Sequence, residues 1–440
     1  MRMCRSIYVL WIPLSLCVLC GAVLAETPTS PASEVGFVAT DDTNLVTAFP
    51  LSSAVEAALR DNAELRSLRA RADAMQERPA QARALPNPMF TYSGMNSVDG
   101  ARGPSTNEKY FMVQQEFPWF GKRDLREGVA RKDAAAIAIE VESMAQDIAM
   151  QVKETYFDLQ AVQRAIGIAR GESDVLQRIE KIAESAYTTG ARTQQDVLKA
   201  KSEAILLWQR LLELASQENT LKARLNLLLG RAPDVPLGAP STPPCTHFTA
   251  QAETVSVLAA ANRPEIRAAE TQVARYELER QLMAKESLPD YKLGLEYRRI
   301  GNADDMLMFT VSIDLPIRAS KIAAGAREAE KMKVAAEAAR EAAAQKSRFE
   351  ARDAWFKWQT ARRTLDLYRK ELIPQAEARF KASEAGYQTG KVDFMDLLES
   401  QRFLLNARVM AVMADGALGM QFARLERAAG VALSATTDAK

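Results

Sequence analysis

One histidine, His247, and, past the first twenty-five residues, one cysteine, Cys245, are all this chain offers of two common catalytic and metal-binding side chains. A single imidazole supports no His-based triad or dyad. Together the two residues fall short of the four ligands of a structural zinc site. Both follow or adjoin the Pro-rich run Pro240 to Pro244 and read as linker residues. No glycine-rich phosphate loop is present. The 16 methionines raise the question of copper or silver, because thioethers suit soft metals. Met75, Met144, Met332 and Met413, however, are scattered through helical stretches and read as core filling. Met306 and Met308 flank a strand and are expected on opposite sides of it. What remains is carboxylate. Asp396 and Glu399 lie three apart and share a helix face. Asp196 has Lys199 at the same spacing, which allows a local ion pair. These groups attract and repel ions but make no bond-breaking constellation. The chain reads as a non-enzyme, with no catalytic residue, cofactor or metal site expected.

The carboxylates follow a motif that occurs twice. Tyr187-Thr188-Thr189-Gly190 precedes Asp196, and Tyr387-Gln388-Thr389-Gly390 precedes Asp396, 200 positions on. Each copy lies between two long stretches of helical periodicity, so each reads as the tip of an αα-hairpin turned by a glycine. The duplication extends along the chain. Glu64 answers Glu265, Leu85-Pro86-Asn87 answers Leu288-Pro289-Asp290, Phe111 to Pro118 answers Phe309 to Pro316, and Tyr156-Phe157 answers Trp355-Phe356. The spacing predicts repeats at 51–230 and 251–430, with a linker at 231–250 and a tail at 431–440. Helical pattern from about Lys122 to Tyr187 gives a helix of about 100 Å at about 1.5 Å per residue. Helices of that length imply coiled-coil packing. Pro374 falls inside the second long helix and should kink or locally unwind it.

Between the helices lie four short strands. Leu293, Leu295, Leu307, Phe309 and Val311 alternate with Gly294, Glu296, Met308 and Thr310, so the two sets lie on opposite faces. The strands are about as long as the 9–11 residues of a tilted membrane strand. A sheet in lipid must close, and single-chain bacterial barrels begin at about eight strands. Four strands therefore call for several copies, and three copies would make a twelve-stranded barrel. The five apolar residues named above are expected to face lipid.

Met1 to Arg5 followed by the apolar run Ile7 to Leu24, with Val23-Leu24-Ala25 before Glu26, reads as a secretory signal over 1–25. An uncleaved anchor, or a lipoprotein using Cys17 or Cys20, are the alternatives. Residues 26–50 read as an extended arm. Removing 1–25 turns the net charge from +1 to −1, which argues against a nucleic-acid surface. Cys245 alone remains, so no intrachain disulfide is expected.

The two tips, the Leu-Pro breaks and the four strands resemble the TolC family of outer membrane efflux channels over nearly the whole mature chain. The corner Phe117-Pro118-Trp119-Phe120-Gly121-Lys122-Arg123 resembles its CzcC- and CusC-like heavy-metal branch. CusC-like members carry a clear lipidation cysteine, and this chain does not. The resemblance implies a mainly α fold with a small transmembrane β part: a homotrimer with a twelve-stranded outer membrane barrel above a periplasmic helical tunnel. It implies a periplasmic adaptor and an inner-membrane RND pump as partners, and export of substrate, with heavy-metal cations as candidates. Asp396 and Glu399 match the acidic residues that ring the family's periplasmic mouth, so a trimer would gather six carboxylates there. Tyr387 either packs across the tip as a gate element or anchors the turn. Thr189, Gly190, Thr389 and Gly390 are expected to contact the adaptor. The competing class, a soluble periplasmic scaffold or adaptor, would have one hairpin beside lipoyl-like and barrel domains, which this sequence does not suggest.

Overall fold

The same order of elements is laid down twice. The computed structural model describes residues 49–96, 107–190, 193–241, 248, 251–300 and 304–433. In the first pass three short helices, α1 (Leu51–Asp61), α2 (Ala63–Gln76) and α3 (Arg78–Arg83), lead to strands β1 (Met89–Asn96) and β2 (Asn107–Phe117). The long helix α4 (Lys122–Thr188) and the return helix α5 (Gln194–Leu228) follow. The second pass runs α6 (Ala252–Asn262), α7 (Pro264–Lys285), β3 (Asp290–Ile300), β4 (Met306–Asp314), α8 (Ala319–Leu367), α9 (Ile373–Gln388) and α10 (Phe394–Ala429). The expected signal segment, nearly all of the arm, Cys245, His247 and most of the tail lie outside the described residues.

Local chemistry sets the breaks. Asn62 separates α1 from α2, and its Oδ1 accepts from the Leu65 N–H at 3.1 Å. Its Nδ2 donates to the Leu228 carbonyl, also at 3.1 Å, so the same side chain ties the break to the end of α5. Gly230 follows that end with φ 69, and a Cβ there would lie 2.3 Å from the Asp61 carbonyl oxygen. Only glycine meets both demands. Gly430 meets Asn262 and Arg263 in the same way in the second repeat.

Helix α4 is 67 residues long, about 100 Å, and packs against α5, α7 and α10. Ile148, Val152, Tyr156, Leu159, Val162 and Ile166 recur along its buried side. Burying each such aliphatic side chain contributes about 1.5–3 kcal/mol. The antiparallel seam of α4 with α10 is laced by Lys153–Glu426 (2.6 Å), Arg164–Asp415 (2.7 Å) and Arg427–Asp147 (2.5 Å), with Arg424–Glu154 between them. Helix α10 is, among the described residues, the one helix long and apolar enough to cross a membrane, yet it packs along α4, α8 and α9. Pro374 does interrupt the second long helix. A widened π turn, Tyr368–Leu372, joins α8 to α9 just before it. Proline lacks the N–H of a regular turn and its ring crowds the carbonyl four residues back; the wider turn relieves both.

The four strands form one antiparallel sheet in the order β1-β2-β3-β4. Pairing of β2 with β3 joins the repeats. The registers Phe90↔Val113↔Leu295↔Phe309 and Tyr92↔Phe111↔Tyr297↔Leu307 line up one apolar face, which Leu293↔Val311 continues. The five apolar residues named from the sequence all lie on it. Leu307 is 72% exposed and Phe309 68%, so none of the described residues covers that face. Met306 and Met308 correct one expectation. They pair with Arg298 and Glu296 and both lie on the polar face, because residues two apart on a strand point the same way. Lys292 sits on that polar face too, 3.1 Å from Asp314. Below the sheet, buried Lys122 joins the repeats: its Nζ lies 3.0 Å from the Leu288 carbonyl and 3.0 Å from Asp290. The Trp119 N–H donates to the same carboxylate at 2.7 Å.

Candidate functional site at the hairpin tips

At the second tip the last turn of α9 closes on a left-handed glycine. Gly390 has φ 74. Its N–H donates to the Tyr387 carbonyl at 3.1 Å, and the Lys391 N–H reaches back to the Gly386 carbonyl at 2.8 Å. This pair of bonds is a Schellman turn. The Thr389 hydroxyl lies 3.1 Å from the Ala385 and Gly386 carbonyls, satisfying acceptors the helix end leaves open. Asp393 then opens α10 by accepting from the Phe394 N–H at 2.8 Å. The first tip is built alike. Gly190 has φ 72, its N–H meets the Tyr187 carbonyl at 2.9 Å, and Thr189 bonds to the Ser185 and Ala186 carbonyls. Among the described residues nothing lies within 4 Å of where a Cβ would stand at either tip glycine. All four residues expected at the adaptor contact therefore lie at the ends of the hairpins.

The matching tyrosines differ. Tyr387 is 6% exposed, with its ring 5.5 Å from that of Phe394 across the turn. Tyr187 is 45% exposed. Tyr387 thus packs against Phe394 across the second tip.

The carboxylates differ as well. Asp396 is exposed and makes no ion pair among the described residues. Glu399, one turn on and also exposed, pairs with Arg379 of α9 at 3.0 Å. Asp196 is buried in the first hairpin, and the local pair with Lys199 does not form. Helix rotation is the reason: Asp196 turns into the hairpin, while Lys199 lines a cleft between α5 and α10 together with Glu203, Glu399 and Arg402. Across this cleft Arg402 pairs with Glu203. On the neighbouring position of α10, Gln401 donates to the buried carboxylate of Glu172 on α4. Burial pushes the Glu172 pKa up, against the pull of Gln401, Arg408 and Arg178. Residues 401 and 402 so tie α10 to both helices of the first hairpin. Sequence reading missed Arg379, Glu172, Gln401, Arg402 and Glu203. Their polar side chains were visible, but which of them meet depends on how the helices are rotated and staggered. Among the described residues, no cluster of three or more His, Cys, Asp or Glu comes together. The arrangement offers exposed charge at the end of a long helical wall.

The family model of the outer membrane efflux protein matches residues 54–231 and again 255–431, the two passes described above. The chain belongs to the outer membrane efflux protein family. It is an outer membrane channel protein for efflux, with a helical part below a strand-built one. One family relative is the cobalt-zinc-cadmium resistance protein CzcC of Cupriavidus metallidurans. It is 25% identical over 432 residues, which span 94% of this chain and 96% of that protein. The fold is similar to that of CusC, with a TM-score of 0.78 at 18% identity over 87% of this chain and 92% of CusC. It is similar also to VceC of Vibrio cholerae, with a TM-score of 0.74 at 19% identity over 87% of this chain and 96% of VceC.

Proposed function

We propose that three copies of this chain close one twelve-stranded barrel over a helical tunnel, and that the channel works with a periplasmic adaptor and an inner-membrane RND pump to export heavy-metal cations. The observation that carries this reading is a four-stranded sheet whose two outer strands pair with nothing among the described residues while its apolar face stays exposed. Such a sheet is stable in lipid only when closed. Two aromatic clusters on that face add support. Tyr92, Phe111 and Tyr297 form one, with ring centroids 5.0 and 6.3 Å apart. Phe117, Tyr291 and Phe120 form the other, at 5.4 and 6.3 Å. Tyr291 and Tyr297 are separated by about 20 Å of strand, with Leu293 and Leu295 between. Aromatic girdles around an apolar band mark membrane barrels. Leu293, Leu295, Leu307, Phe309 and Val311 then face lipid.

On this reading residues 1–25 are a signal, 26–50 an arm, and 51–230 and 251–430 the two repeats. Thr189, Gly190, Thr389 and Gly390 contact the adaptor. Asp396 is the principal charge at the periplasmic mouth, Glu399 is held by Arg379, and Tyr387 stiffens the tip beside them. The similarity to a cobalt-zinc-cadmium resistance protein supports a divalent metal cargo. The test is cellular metal content. Cells lacking this chain should retain more cobalt, zinc or cadmium after loading, and restoring it should reverse that. Unchanged metal retention with heightened sensitivity to organic dyes would overturn the metal assignment and leave the channel standing.

A further inference from the structure

We propose that the corner Leu315–Lys321, where β4 passes into α8, is a seat for an anionic phospholipid of the periplasm-facing leaflet. The inference rests on the membrane-barrel reading above. It starts from two strongly exposed apolar side chains at the end of β4. Leu315 is 70% exposed and continues the apolar alternation of Phe309, Val311 and Ile313; Ile317, just past Pro316, is 83% exposed. Strand β4 thus ends in an apolar edge that runs beyond the sheet toward the periplasmic helices.

Two cations stand directly beside that edge. Arg318 and Lys321 are exposed, and neither makes an ion pair or a side-chain hydrogen bond among the described residues. They share a shallow groove with Leu315, Ile317 and Met283 of α7. Glu286, the acid of that groove, is engaged elsewhere, 3.8 Å from Arg126 and 3.9 Å from Lys122. The corresponding corner of the first repeat is arranged otherwise. Its cations are occupied, Lys122 by Asp290 and Arg123 by the Arg83 carbonyl. An apolar rim continuous with the lipid face, with two unengaged cations just beyond it, matches the acyl chain and phosphate of one anionic lipid. Acyl carbon lies along Leu315 and Ile317, and the phosphodiester oxygens accept from Arg318 and Lys321.

The test is lipid retention by the detergent-solubilised full chain, followed by native mass spectrometry with phosphatidylglycerol, phosphatidylcholine of the same acyl chains, or inorganic phosphate. The parent should retain phosphatidylglycerol in preference to phosphatidylcholine, and Arg318→Gln with Lys321→Gln should weaken that retention about fivefold or more. Phosphate alone should not compete. Equal retention in parent and variant overturns the proposal. So does a variant that falls apart into single chains, since the corner would then be a contact between copies. Conductance of both proteins in planar bilayers separates this failure from failure of the barrel reading. A conducting variant with unchanged lipid retention removes only the lipid seat, whereas a parent that never inserts removes the barrel itself.

Discussion

Glu265 is pulled two ways. Burial alone would raise its pKa, but hydrogen bonds from Arg427 at 2.5 Å and from Arg263 outweigh that and bring it down to about 2. A carboxylate depressed in the folded state adds stability above its unfolded pKa, and the gain is lost as pH falls through the folded value. Screened by solvent at this partly exposed site, the effect is on the order of 1–2 kcal/mol. Glu265→Gln should therefore lower the unfolding midpoint of the solubilised protein at pH 7, and the gap to the parent should shrink between about pH 4 and pH 2. A gap that persists undiminished at the lowest pH would mean lost packing rather than lost charge. At the tip, Asp396 lacks the partner that Glu399 has in Arg379. Asp396→Asn should then relieve block by periplasmic divalent or trivalent cations more than Glu399→Gln does, read as single-channel current. Equal or reversed effects would take Asp396 out of the mouth. Sequence spacing placed these two acids on one helix but could not separate their roles. The deciding partner, Arg379, lies across the hairpin, 20 positions back.

At the scale of elements, the hairpin turns were legible because a left-handed residue leaves a local signature. Glycine at positions 190 and 390 is what lets each chain reverse. Gly390→Val would carry a β-branched side chain at φ 74, at a cost of about 1–2 kcal/mol, with open space around its Cβ among the described residues. Efflux should fail through the altered tip while assembled protein stays in the membrane; normal complementation would free docking from this turn. The strands were legible through period-2 alternation, and Pro374 through its missing N–H. The junction of Asn62 with the end of α5, and of Arg263 with Gly430, was not. It joins segments more than 160 positions apart and depends on where the helices end in space. The sheet offers its own test. Phe309→Arg near the bilayer midplane should cost about 2–4 kcal/mol, and Thr310→Arg on the polar face much less. Heat stability of the solubilised assembly compares them, and equal losses would undo the assignment of faces.

For the whole molecule, the internal repeat explains why four strands and two hairpins come from one chain, and the open sheet explains why one chain is not enough. Among the described residues both outer strands, β1 and β4, end the sheet with unpaired edges. Pairing β4 of one copy with β1 of the next removes every edge after three copies, when twelve strands reach the size of a closed membrane barrel. The same rotation would bring three copies of Asp396 around one axis at the far end of helices about 100 Å long. Closure is thus the claim on which lipid face, tunnel and mouth all depend. It is tested most directly by the mass of the detergent-solubilised protein from light scattering, corrected for bound detergent, on the same sample whose conductance is recorded in a planar bilayer. The account predicts three chains per conducting particle. A stable single chain that conducts would contradict it.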